Sequence, residues 1–103
     1  MRGVNGSNGV QRMIDQQQVA ADWSARGFGC DLWVDPPGQR WEDFVHQQDE
    51  LLMPVEGELE VEIDGRLHRP QIGEELLIPA GAQHSVRNIG NVTARWLYGY
   101  RRA

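Results

Sequence analysis

GEELLIPAGAQHSVRN, residues 73–88, places Gly73, Pro79, Gly81, His84 and Asn88 at fixed intervals. At average amino-acid usage, five such positions coincide at roughly one start site in a few million. The stretch lies where short runs of β-formers alternate with turn signals. Pro79 and Gly81 build a turn that delivers His84, and Gly81 supplies the backbone freedom the turn needs. The other turn signals from about Cys30 onward are Pro36-Pro37-Gly38, Glu56-Gly57, Asp64-Gly65 and Gly90-Asn91. Short strands at such spacing, without helical stretches between them, mean an all-β sandwich or barrel.

Working upstream, a second set of fixed positions appears. FVHQQDELL, residues 44–52, holds His46 and Glu50 four apart, and six residues separate Glu50 from Gly57. A His and a Glu at that distance co-occur by chance in many strands and loops, so the weight rests on the two sets together. Together they resemble the cupin superfamily, small β-barrels in which two short motifs flank a metal pocket. The later motif fits that family's pattern at every fixed position. The earlier one usually runs Gly, five residues, His, one residue, His, three or four residues, Glu, six residues, Gly. Gly38, His46, Glu50 and Gly57 match it, while Phe44 stands at the first histidine position. The motifs cover residues 38–88, and flanking strands extend the likeness from about 29 to 100.

The resemblance implies an all-β, cupin-type barrel (a double-stranded β-helix or jelly roll) with His46, Glu50 and His84 as metal ligands. The fourth ligand is absent, and Phe44 lines the pocket in its place. The residues themselves agree. Phe44 and His46 are two apart in a strand and share a face, which is the interior if Phe44 is buried. Glu50 keeps that parity if the strand runs on, whereas a turn at Gln47-Gln48-Asp49 would break the count. Two imidazoles and a carboxylate leave coordination positions open and favour Fe(II) or Mn(II), with Zn, Ni or Cu also able to bind.

The other candidates read as structural. His68 matches no motif position and reads as exposed. Asp43 and Asp49 are out of parity with His46 and face outward. Trp33, Trp41, Trp96, Tyr98 and Tyr100 read as core or interface rather than a ligand cage. In Glu58–Ile63 the apolar residues point one way and the glutamates the other, into solvent. Pro54 within a strand-like run implies a bulge or an edge. ARWLYGY, residues 94–100, would expose apolar surface if single-sided, which suggests a homodimer.

Composition removes several functions. A chain of 103 residues supports one small domain, and its formal net charge of −5 argues against nucleic acid. All ten basic residues are arginines, so no lysine is present for Schiff-base or phosphate-loop chemistry. No apolar run approaches a membrane span and no signal peptide is visible. The single cysteine, Cys30, forms no intrachain disulfide and reads as a small buried residue in a reducing, cytoplasmic setting.

Residues 1–12 read as a flexible leader, and Met13 is an alternative start. A single cupin domain is expected over residues 13–103. At its beginning, Asp15 caps a short helix to roughly Arg26, stopped by Gly27, with Ile14, Val19 and Trp23 as a thin apolar stripe. The expected function is a mononuclear metal centre acting on or binding a small organic molecule, with oxygenase or isomerase-like chemistry. The rival is a non-catalytic small-ligand-binding or sensory module, its metal structural or absent.

Overall fold

The computed structural model describes residues 14–102. The expected leader at 1–12 and the alternative start at Met13 lie outside the described residues. The capped segment folds as expected. Asp15 Oδ1 accepts from the backbone N–H groups of Gln17 and Gln18 at 3.1 and 3.2 Å, opening helix α1 (Gln16–Ala25). Its stripe is Trp23, fully buried, flanked by the partly buried Ile14 and Val19. One carboxylate anchors the far end: Glu75 accepts from the Trp23 indole at 3.1 Å and from Arg26 at 2.7 and 2.8 Å.

Eight strands follow: β1 (Asp31–Asp35), β2 (Arg40–Val45), β3 (Glu50–Glu56), β4 (Leu59–Ile63), β5 (Arg66–His68), β6 (Leu76–Ile78), β7 (Gln83–Asn88) and β8 (Ala94–Tyr100). They form two four-stranded antiparallel sheets, ordered β1-β8-β3-β6 and β2-β7-β4-β5. Leu52, Ile78, Ala94 and Trp96 of the first sheet meet Leu59, Val61 and Val86 of the second, making the core between the sheets. This is the expected all-β jelly-roll architecture with a short N-terminal helix.

The alternating strand β4 buries Leu59 and Val61, and Asp64-Gly65 closes its hairpin to β5 with φ of 48° and 83°. Both values are positive, as a two-residue type I′ turn requires. The glutamate row differs from expectation. Arg87 on β7 reaches Glu60 at 3.0 Å and Glu62 at 2.8 Å, and Glu42 of β2 at 2.8 Å. Glu60 and Glu62 are gathered by one guanidinium, while Glu58 stays exposed as expected. Pro54 lies beyond the three residues that β3 shares with β6 and beside a register shift against β8, where its missing N–H is tolerated.

Strands β3 and β8 are covered on both faces. On the outer face Leu51, Met53 and Leu97 pack with Trp23 and Phe28. That explains why ELLMP reads as a continuous apolar run rather than an alternation. It also corrects the reading of residues 94–100. Trp96, Tyr98 and Tyr100 line the interior, and the outward Leu97 is covered by the chain's own helix segment. Gly99 lies directly under the Gly29–Cys30 backbone, where a Cβ would overlap the Gly29 carbonyl. Strand β8 therefore leaves no apolar face needing a second subunit.

Candidate metal centre

Strand β2 carries one extra residue. Trp41 pairs with Val86 and Phe44 with His84, so three steps along β2 oppose two along β7. Asp43 absorbs the difference at φ 61°, its N–H donating to Ser85 Oγ at 3.0 Å. The bulge resets the side-chain parity, so Trp41 and Phe44 both line the interior pocket despite their odd spacing. Asp43 itself is exposed, as expected.

His46 follows the end of β2, and residues 46–49 then cross to the other sheet. The turn at 47–49 does break the strand, and Glu50 enters as the first residue of β3. The crossing is pinned: Gly81 N–H donates to the His46 carbonyl at 2.8 Å, and Ala80 N–H to Asp49 Oδ1 at 2.8 Å. Asp49 thus braces the turn ahead of His84 instead of simply facing outward. Three short-range devices (bulge, crossing and Pro79-to-Gly81 turn) bring residues from both sheets to one end of the sandwich.

There His46, Glu50 and His84 converge, with ligating atoms all within 4.8 Å of one another. Glu50 Oε1 lies 3.4 Å from His84 Nε2 and 3.6 Å from His46 Nε2. His84 Nδ1 is 3.2 Å from the Ala82 carbonyl, an acceptor, so Nδ1 carries the hydrogen and Nε2 presents its lone pair to Glu50. Glu50 Oε1 is buried and finds no hydrogen-bond partner among the described residues. Burial alone would lower the His84 pKa, but the Glu50 carboxylate and the Ala82 carbonyl outweigh it, and the pKa lies above the ordinary value. A neutral His84 opposes its Nε2 lone pair to the buried carboxylate, and His46 Nε2 stands 3.6 Å from the same oxygen; a cation satisfies that arrangement, so these residues fit a divalent metal ion.

The surroundings were only partly anticipated. Phe44 is among the residues around the pocket, its ring stacked at 10° to that of His46, and at 40% exposed it sits at the mouth. Tyr100 is a residue the motifs did not mark. Its hydroxyl lies 3.3 Å from His46 Nε2, and burial followed by the Glu50 charge pushes its pKa up to about 12. Trp33, Trp41, Trp96 and Tyr98 also line the pocket, whose volume is about 180 Å³, so the aromatic residues read as core or interface are its walls. His68 lies on β5, partly buried and outside the converging group.

A family model described as the cupin domain matches residues 31–100. The chain is 35% identical over 63 residues to the polyketide synthase CurC of Streptomyces cyaneus, and 35% over 63 residues to protein SchB of Streptomyces halstedii. Each alignment takes in 60% of this chain, but only 41% and 46% of those relatives, so the likeness spans less than half of their length. Among solved structures, the salicylate 1,2-dioxygenase from Pseudaminobacter salicylatoxidans superposes with a TM-score of 0.68 at 22% identity. That match covers 73% of this chain and 22% of the other, and is a likeness of fold.

Proposed function

Because the chain belongs to the cupin-domain family, we propose that His46, Glu50 and His84 hold one divalent transition-metal ion used on a small organic molecule. Fe(II) and Mn(II) suit the donor set best, and Zn, Ni or Cu are possible occupants. The observation that carries this reading is the orphaned Glu50 Oε1 opposed to two imidazoles. A bound ion would supply Lewis-acid polarisation or oxygen activation, hence oxygenase or isomerase-like chemistry. The protein's own groups do the rest. The Ala82 carbonyl orients His84, the turn before it anchors His46, and the aromatic walls exclude water. Tyr100 stays protonated and offers a hydrogen bond at the edge of the centre. The likeness to a protein named as a polyketide synthase supports a setting in polyketide biosynthesis.

The rival, a non-catalytic binding or sensory module with structural or no metal, has one observation in its favour. Apart from the candidate ligands, the titratable groups lining the pocket among the described residues are Tyr98 and Tyr100, both held above the ordinary tyrosine value, so none of these offers a free general base to a substrate. Metal analysis of untagged protein tests the primary reading. About one ion per chain is expected, with most of it lost in His46→Ala and in His84→Ala. Full retention in both variants refutes the assignment, and tight ligand retention without turnover selects the rival.

The same reading includes a cytoplasmic location, supported by the single unpaired thiol of Cys30. It also includes a homodimer, carried now by β1 rather than β8. Strand β1 is the edge of its sheet, and Leu32 and Val34 are 36% and 46% exposed there. A monomeric mass in light scattering at micromolar concentration would remove the dimer.

A further inference from the structure

We infer that the pocket takes a flat aromatic molecule with its oxygen substituents along one edge, because Asp35 turns the hydrogen-bond donors of the three tryptophan walls away from a guest. Trp33, Trp41 and Trp96 come from three strands in two sheets, yet their indole N–H groups all point to one side chain. Trp33 donates to Asp35 Oδ1 at 2.8 Å, Trp41 to both oxygens at 3.1 Å, and Trp96 to Oδ2 at 3.2 Å. Asp35 is 2% exposed. The indole N–H is the sole polar atom of a tryptophan side chain. With all three turned back to Asp35, what these residues offer a guest is carbon.

A polyol or a compact diacid would find no partner on such walls and would lose its hydration there without replacement. Among the described residues no arginine lines the pocket. The polar groups that remain follow one line: the tyrosines at alternate positions of β8, then the cluster of His46, Glu50 and His84. Trp33 meets Trp41 at 77° and Tyr98 at 81°, edge-on contacts that leave ring faces for a planar guest. The volume of about 180 Å³ exceeds the roughly 150 Å³ of an apolar cavity that accepts benzene. One or two fused rings fit, and the half-exposed rim at Trp33 and Phe44 lets a longer flat molecule extend outward.

The inference names the substrate class of the proposed metal site and rests on that reading, but its test is separable. Calorimetry compares 2-naphthol, decahydro-2-naphthol and glucose on metal-stripped and on Mn(II)-loaded protein. Naphthol should bind about tenfold tighter than its saturated counterpart in both states, the sum of several aromatic contacts, and glucose should give no heat. Trp33 is 38% exposed at the rim, and replacing it with Phe or Leu removes the same indole donor in both variants while leaving Asp35 those of Trp41 and Trp96. Trp33→Phe should keep naphthol affinity within about twofold, and Trp33→Leu should lose about fivefold for naphthol alone. Equal affinity for the flat and saturated probes, or a preference untouched in Trp33→Leu, overturns the inference. Protein that binds no metal yet prefers naphthol refutes the proposed function and leaves this inference standing. Protein that holds metal but does not discriminate does the reverse.

Discussion

Replacing Glu50 with glutamine should make the metal-free protein more stable while abolishing its metal binding. His84 donates through Nδ1 to Ala82, so its Nε2 lone pair faces Glu50 Oε1 at 3.4 Å, and that oxygen is buried without a partner. A buried acceptor left unmade costs about 1–3 kcal/mol. A glutamine amide puts a donor in the same place and removes the opposition at nearly constant volume. For a domain of this size each 1 kcal/mol moves the melting temperature by about 4–8 °C, so a rise of roughly 5–20 °C is expected.

The pH of the assay matters. A histidine whose folded pKa is raised contributes stability that is complete below its unfolded value, near 6.5, and is lost as pH rises through the folded value. The advantage of glutamine is therefore largest near pH 9 and shrinks toward pH 6. Thermal melts in chelator at both pH values, repeated with saturating Mn(II), complete the comparison. The parent should gain about 2.7 kcal/mol at a hundredfold excess of ion over Kd, and the variant nothing. A variant less stable than the parent in chelator at pH 9, or equal metal-induced shifts in both, refutes the reasoning.

Phe44→His should tighten metal binding by up to about tenfold with the new ring turning inward, since position 44 shares the pocket with His46 and His84 but its ring centre, 6.2 and 6.4 Å from theirs, sits farther out than a ligand beside both would. Equilibrium dialysis against a competing chelator checks it, and unchanged affinity would show the ring held back at the mouth. Gly99→Ala should cost about 1–3 kcal/mol of stability or more, seen as a sharp fall in melting temperature, because the added Cβ meets backbone at Gly29 rather than a yielding side chain. In Glu42 the Arg87 hydrogen bond holds the carboxyl down to about 2. Its contribution should be complete above the unfolded value near 4.5 and fade as pH falls toward 2, and NMR titration of Arg87→Ala should return Glu42 to the ordinary range.

What the sequence made legible is what local chemistry decides. The Asp15 cap, the Asp64-Gly65 turn and the Pro79-to-Gly81 turn each depend on a few neighbouring residues, and all three form where the spacing placed them. That His46, Glu50 and His84 come together was expected only through the resemblance that both motifs carry. The pocket walls were not. Whether Trp41 faces in or out turns on one extra residue at Asp43, and the bulge is held by Ser85 from another strand. Asp35 is the meeting point of three indoles 2, 6 and 61 residues away, a convergence with no local signature. Glu60 and Glu62 looked solvated because the arginine that gathers them arrives from β7. The aromatic strand β8 looked exposed because its outer cover is a helix some seventy residues earlier.

The three converging groups do not share a sheet. His46 follows β2 and His84 lies on β7, while Glu50 opens β3 on the facing layer. An occupant gripped by all three would act as a rivet through the open end of the sandwich. Any spreading of the layers there would lengthen a metal–ligand bond, so affinity for the ion and stiffness of the mouth become one quantity measured in two ways. A guest entering between Trp33 and Phe44 would have to do so without prising the layers apart, and a bulky one would be refused by the metal's hold on the lips rather than by any wall it touches.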